Sequence, residues 1–207
     1  MVINLPEETI EKRAAYIREK VGMEHIYALD MDSVLLRLMK KSSLFRIQRS
    51  NIGELEDDEA FMNCESHVML LSSVVFDNLK ANEKRAKFTA AHELGHYVLG
   101  HSGNTRRSKD KGIYLTPRQR IQEDEANRFA AFLLVPTELA LNCNSSKEIE
   151  DKFQVSTKVS EIAFQRVQDI LRKRNGELRQ PPAVVLDFLR KAEKEGYKIR
   201  TNIPRED

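Results

Sequence analysis

The segment His92-Glu93-Leu94-Gly95-His96 restricts the possible fold more than any other part of the chain. Helical residues four positions apart lie on the same face, so the two imidazoles can bind a single ion, at about 2.0–2.1 Å each for zinc. Glu93 can take a proton from a zinc-bound water, because the metal lowers the pKa of that water to about 7. The motif therefore predicts a helix with two zinc ligands, His92 and His96, and a catalytic base, Glu93. The alternative is a pair of buried structural histidines.

A catalytic zinc ion needs a third protein ligand and an open position for water. In the pattern HExxHxxGxxH the third ligand is a histidine ten positions after the first. Here His101 follows His92 by nine positions, and the intervening glycine is also displaced. The third ligand should therefore come from elsewhere, and the acidic run at 123–125 in the next predicted helix offers three candidates.

A helical wheel separates these three carboxylates. With Ile121 taken as zero, Glu125 lies at about 40°, within the apolar arc of the helix. Glu123 lies at the edge of this arc, at about 200°, and Asp124 points away, at about 300°. A carboxylate on a buried stripe needs a compensating charge, which a zinc ion would supply. Glu125 is therefore the predicted third ligand, and an ion pair with Arg118 or Arg128 is the alternative.

Four more side chains are candidates for supporting roles at this site. Tyr97 and Asn127 flank the predicted ligands and could orient them through hydrogen bonds, or simply pack. His101, Tyr97 and Tyr114 could donate a hydrogen bond to the oxyanion of a transition state. The sequence does not choose among them.

The pattern around the motif predicts an α+β fold. Apolar spacing and end signals predict helices before and after a small antiparallel sheet, which we expect to contain three strands. The predicted elements are a helix over 6–21, a helix after Asp30 or Asp32, a sheet within 44–76, a helix from an Asn82 cap to Gly100, and a helix that begins at the capping box Thr116-Pro117-Arg118-Gln119 and ends before Pro136.

The composition is that of an ordinary globular protein, with 41% hydrophobic and 32% charged residues. The net charge of +2 does not by itself indicate nucleic-acid binding. We find neither a signal-peptide pattern nor an apolar run long enough for a membrane span, so we expect a cytoplasmic protein. Cys64 and Cys143 lack CxxC spacing and are expected to be reduced thiols.

Two segments together resemble the ImmA/IrrE family of metallopeptidases. They are RAKFTAAHELGHYVLGH at 85–101 and EDEANRFAAFLLVP at 123–136, with Val135 where methionine is commoner. The resemblance implies a zincin-like fold of the gluzincin type, one Zn²⁺ per chain bound by His92, His96 and Glu125, and Glu93 as base. It also implies a substrate, since such peptidases cleave a helix-turn-helix transcriptional repressor and so relieve repression of phage, mobile-element or stress-response genes.

The segment KEIEDKFQVSTKVSEIAFQRVQDI at 147–170 resembles a helix-turn-helix unit, although Gln154 stands where glycine is usual. Residues 144–175 carry seven basic and five acidic side chains, so direct DNA binding is not favoured, and a helical subdomain packed on the peptidase is the alternative. We predict a peptidase domain over 1–143, this helical part over 144–175, and a C-terminal helix and tail over 176–207.

These features favour a zinc-dependent endopeptidase that cleaves a cytoplasmic repressor. A second hypothesis is a non-catalytic, zinc-stabilised regulator that binds a repressor or DNA. In a third, the same chemistry serves the toxin of a toxin–antitoxin pair. An intact Glu93 speaks against the second hypothesis, because a binding module does not need a base beside its metal ligands.

Overall fold

The computed structural model describes residues 4–50, 55, 59–101, 115–176 and 182–198. Helices dominate this part of the chain, and three short strands form one sheet. In chain order the elements are α1 (Glu7–Val21), α2 (Met31–Lys41), β1 (Arg46–Arg49), β2 (Ala60–Asn63), β3 (Val68–Leu71), α3 (Ser73–Lys80), α4 (Lys84–Leu99), α5 (Pro117–Leu134), α6 (Thr137–Ala140), α7 (Ser146–Phe153), α8 (Thr157–Arg174) and α9 (Ala183–Lys194).

The core is built around α4 and α5, with α1 packed on α5. The two helices approach most closely at Gly95. A Cβ atom at Gly95 would lie 3.0 Å from Cδ1 of Phe129 and 3.2 Å from both Cα and O of Ala126. Because two of these three atoms belong to the α5 backbone, a side chain at position 95 would push the helices apart. The glycine inside the predicted zinc motif is therefore a packing requirement.

The sheet has the order β1-β3-β2, with β3 in the centre. β2 pairs with β3 antiparallel, as predicted, but β1 pairs with β3 parallel, so the sheet is mixed and the prediction of a purely antiparallel sheet is wrong. A parallel pair needs a long connection between its strands. Residues 50–67 supply that connection and contain β2, which lies at the sheet edge beside α4.

Helix α3 occupies part of a segment that its β-branched residues predict to be strand. Ser72 starts the helix, since its hydroxyl accepts a hydrogen bond from the Val75 backbone N–H. Val75 and Leu79 then lie one turn apart and are both buried. The cap and this buried pair outweigh the strand preference of valine, which depends on context.

The ends of α4 and α5 follow simple capping chemistry. The capping box predicted at Thr116 and Gln119 is confirmed, and Gly100 ends α4 in the left-handed conformation with a φ of 71°. The cap of α4, however, is Glu83, whose carboxylate accepts from the Ala86 N–H. Asn82, the predicted cap, instead adopts a φ of 58° in the preceding turn.

The chain divides into two compact units, residues 1–164 and 165–207, with the boundary inside α8. Helix α7 is followed by a short turn in which Gln154 takes a φ of 52°, the left-handed geometry for which glycine is usual. Both helices of the proposed helix-turn-helix unit are therefore present, while its role and the domain boundaries stay predictions. Among the described helices, none has the length and apolar character needed to cross a membrane.

Candidate metal centre

His92 and His96 lie one turn apart on α4 and point to the same place, as the motif predicts. Their Nε2 atoms are 3.0 Å apart, and both residues are buried, with 1% and 3% of their surface exposed. Small residues on α4 and α5 permit this burial, because the helices touch at Gly95 and Ala126, next to the histidines.

The third group at this point is Glu123 of α5. Its carboxylate oxygens lie 3.4 Å from Nε2 of His92 and 3.3 Å from Nε2 of His96. Burial raises the pKa of the Glu123 carboxyl, but hydrogen bonds and charge interactions with the two histidines outweigh burial and hold that pKa well below its usual range. The site thus keeps an anionic carboxylate against two imidazoles.

These three side chains fit a divalent metal. Within the described residues, His92, His96 and Glu123 form a group whose possible ligand atoms all lie within 4.8 Å of one another. Two imidazole nitrogens and one carboxylate oxygen are a known ligand set of catalytic zinc. Tetrahedral ligands about 2.0–2.1 Å from an ion are separated from one another by about 3.3–3.4 Å, close to the spacings in this group.

The carboxylate at this point is therefore Glu123 and not Glu125, the predicted third ligand. The two lie on different faces of α5. Glu125 accepts a hydrogen bond from the Leu5 backbone N–H, and its other oxygen lies 3.0 Å from Nε2 of His101. The buried charge that the wheel detected is real, but hydrogen bonds compensate it.

A sequence signal for Glu123 does exist. It lies on the same face of α5 as Ala126 and Asn127, three and four positions later, and this face meets α4 at Gly95 and His92. The wheel located the apolar arc of α5 but not the part of it that faces α4. A catalytic ion would also need access for water, which favours a ligand at the edge of the arc. The Glu123 side chain is accordingly 14% exposed.

Hydrogen bonds hold the far side of each histidine ring. Nδ1 of His92 lies 3.0 Å from Oδ1 of Asn127, and Nδ1 of His96 lies 2.8 Å from Nδ1 of His101. Two of the four predicted supporting residues thus contact the histidine pair directly. Burial, together with the nearby charge of His96, lowers the pKa of His101 to about 4, although Glu125 opposes this shift.

Glu93 lies between α4 and the sheet edge. Its Oε2 accepts a hydrogen bond of 2.8 Å from the backbone N–H of Met62 in β2, and the residue is only 6% exposed. A backbone group of the edge strand therefore fixes the carboxylate of the residue that follows His92.

The other two predicted supporting residues differ. The Tyr97 ring packs against Phe45 and His67, with ring centroids 5.0 and 5.7 Å away, so its visible role is packing. Tyr114 lies outside the described residues. Its predicted role at the oxyanion stays a prediction.

A cavity of about 790 Å³ has Asn127 in its lining. Its walls come from α4, α5 and the start of α8, with Phe88, Ala131, Val159 and Ile162 as the apolar part of the lining. Asn127 lines the cavity and also contacts His92, so one residue links the cavity to a predicted ligand.

Comparisons with known proteins identify the family. Among curated proteins none matches the chain. One similar solved structure is a Mycobacterium tuberculosis transcriptional regulator, 13% identical with a TM-score of 0.48; the match covers 74% of this chain and 45% of the regulator. The model of the Peptidase M78 family, described as the IrrE N-terminal-like domain, matches residues 55–166, which hold α4, α5 and all three residues of the metal-binding group. The resemblance to ImmA/IrrE proteins is therefore confirmed, and this chain belongs to the Peptidase M78 family of IrrE N-terminal-like domains.

Proposed function

We propose that the protein is a zinc-dependent endopeptidase whose substrate is a helix-turn-helix transcriptional repressor. The observation that carries the proposal is the convergence of His92, His96 and Glu123, together with Glu93, which follows His92 in the chain and is bonded to the Met62 backbone. Membership of a peptidase family supports the same chemistry. A module that only bound a partner would not need a buried carboxylate held next to a metal-binding group.

His92, His96 and Glu123 would hold the ion. When bound there, zinc lowers the pKa of a coordinated water to about 7 and polarises the scissile carbonyl. Glu93 takes the proton from the attacking water and delivers it to the amine that leaves, so one carboxylate serves as base and then as acid. Its bond to the Met62 N–H keeps this carboxylate in place through both proton transfers.

The edge strand β2 supports a position for the substrate. Within the described residues β2 pairs only with β3; the Met62 N–H is already bonded to Glu93, so an added strand would have to pair with the other outward backbone groups of this edge. Met62 of β2 also holds Glu93, which brings this edge to the base. A substrate strand added there would place its scissile peptide bond beside the proposed metal centre.

Family membership supports a repressor as the substrate, and co-expression tests it. The probe is a helix-turn-helix repressor identified among the neighbouring reading frames, expressed with the wild type or with Glu93→Gln. We expect the wild type to produce two repressor fragments by mass spectrometry and Glu93→Gln to produce none, while both bind about one zinc ion. If zinc is bound, the repressor stays intact and Glu93→Gln behaves like the wild type in cells, the proposal is wrong.

A further inference from the structure

Glu125 and His101 form a buried chain that ends on one of the histidines of the proposed metal centre. We propose that these two are positioning residues: together they hold the proton of His96 on Nδ1 and so leave the lone pair of its Nε2 for the metal. This inference rests on the proposed function. It also gives a role to a buried carboxylate that does not reach the metal-binding group.

The chain starts at Glu125, which in its ionised form can only accept hydrogen bonds. One of its oxygens accepts from the Leu5 backbone N–H, and the other lies 3.0 Å from Nε2 of His101. At that distance Nε2 of His101 must be the donor. The carboxylate therefore assigns the proton of His101 to Nε2.

The assignment passes from His101 to His96. A neutral imidazole carries one N–H, so a His101 protonated on Nε2 has an accepting Nδ1. That Nδ1 lies 2.8 Å from Nδ1 of His96, which must then be the donor. In the neutral form that metal binding requires, His96 then has an unprotonated Nε2, the atom that faces His92 and Glu123.

Burial prevents water from replacing any member of this chain. His96, His101 and Glu125 expose 3%, 6% and 3% of their surface. At His92 a single residue holds the ring proton on Nδ1, because the accepting Oδ1 of Asn127 lies 3.0 Å from that nitrogen. At His96 the partner of Nδ1 is instead the ring of His101, which connects it to Glu125.

Replacing the carboxylate should weaken metal binding without removing a metal ligand. In Glu125→Leu nothing accepts the His101 Nε2 proton, so His101 can donate from Nδ1 and force the proton of His96 onto Nε2. Losing a group that orients a metal ligand costs about 10–100-fold in metal affinity. Glu125→Gln keeps an accepting oxygen and should recover much of the loss. If Glu125 acted only through its shape, the hydrogen-bond acceptor would not matter and this recovery would not be expected.

The experiment measures two quantities on the full chain. Zinc affinity, by competition with a chelator, should fall about 10–100-fold for Glu125→Leu and for His101→Phe, but not for the exposed control Glu138→Gln. Side-chain ¹⁵N NMR of the metal-free wild type at alkaline pH, where each neutral imidazole carries one N–H, reports the proton positions directly, even if a variant fails to fold. We expect the Nε2–H form for His101 and the Nδ1–H form for His96.

The failures of the two proposals are distinguishable. A wild type that binds no zinc overturns the proposed function. A wild type that binds one zinc ion but carries the His101 proton on Nδ1, or folded variants that retain wild-type affinity, overturns only the positioning role of Glu125 and His101.

Discussion

The substitution Gly95→Ala tests how tightly the metal centre depends on the contact between α4 and α5. The added methyl group would lie 3.0 Å from Phe129 and 3.2 Å from two backbone atoms of Ala126, closer than ordinary contacts of 3.4–4 Å. The helix α5 must therefore move away by a few tenths of an ångström. Glu123 precedes Ala126 by one turn and moves with it, which widens its spacing from the histidines.

Two effects on stability oppose each other in this variant. Alanine is favoured over glycine inside a helix by about 1 kcal/mol. Overpacking a well-packed contact costs about 1–3 kcal/mol, and a backbone neighbour places the cost toward the upper part of that range. We expect the free energy of unfolding to fall by about 1–2 kcal/mol, as the difference between the two effects.

Urea unfolding and zinc competition measure the two consequences of Gly95→Ala. We expect lower stability and weaker zinc binding together. Adding Phe129→Leu should not restore either, because the contacts with the Ala126 backbone remain. A variant about 1 kcal/mol more stable than the wild type, with unchanged zinc affinity, would show that helix propensity dominates and that the close approach does not position Glu123.

Three more predictions concern single side chains. Lys87 is fully buried, its Nζ has no hydrogen-bond partner among the described residues, and burial lowers its pKa. Lys87→Met should therefore raise the free energy of unfolding in urea by about 1–3 kcal/mol. An increase no larger than that of the exposed control Lys40→Met would contradict this. Asn127→Ala removes the acceptor at His92 and should weaken zinc binding, measured by chelator competition, about 10–100-fold, whereas unchanged affinity would show that this contact is not needed. The pKa of His101 is lowered to about 4, so the contribution of this residue to stability is present above about pH 6.5 and is lost as the pH falls toward 4. The free energy of unfolding of the metal-free protein, measured in urea, should therefore fall over this pH range. A His101→Gln variant with the same pH profile would exclude His101 as the cause.

Local sequence signals predict much of the fold. The capping box at Thr116, the glycine at the end of α4 and the two histidines on one helix face all act within one or two turns, so the sequence alone shows them. The same holds for Gly22, which ends α1 in the left-handed conformation with a φ of 66°.

The errors occur where contacts distant in sequence decide the outcome. Glu125 satisfies a local rule for a buried charge, but its partners Leu5 and His101 come from other parts of the chain. The position of Glu123 beside the histidines depends on which face of α5 meets α4, and the parallel pairing of β1 with β3 joins strands that are separated in sequence. Periodicity within one element does not contain this information.

The metal centre itself is tested most directly by anomalous diffraction from crystals grown with zinc, with data collected above and below the zinc absorption edge. We predict one peak per chain, about 2.0–2.1 Å from Nε2 of His92 and of His96 and in contact with the carboxylate of Glu123. In Glu123→Ala crystals grown in the same way, this peak should be lost or greatly reduced. No peak at the histidine pair, or a peak that contacts Glu125 instead of Glu123, would contradict the proposed centre.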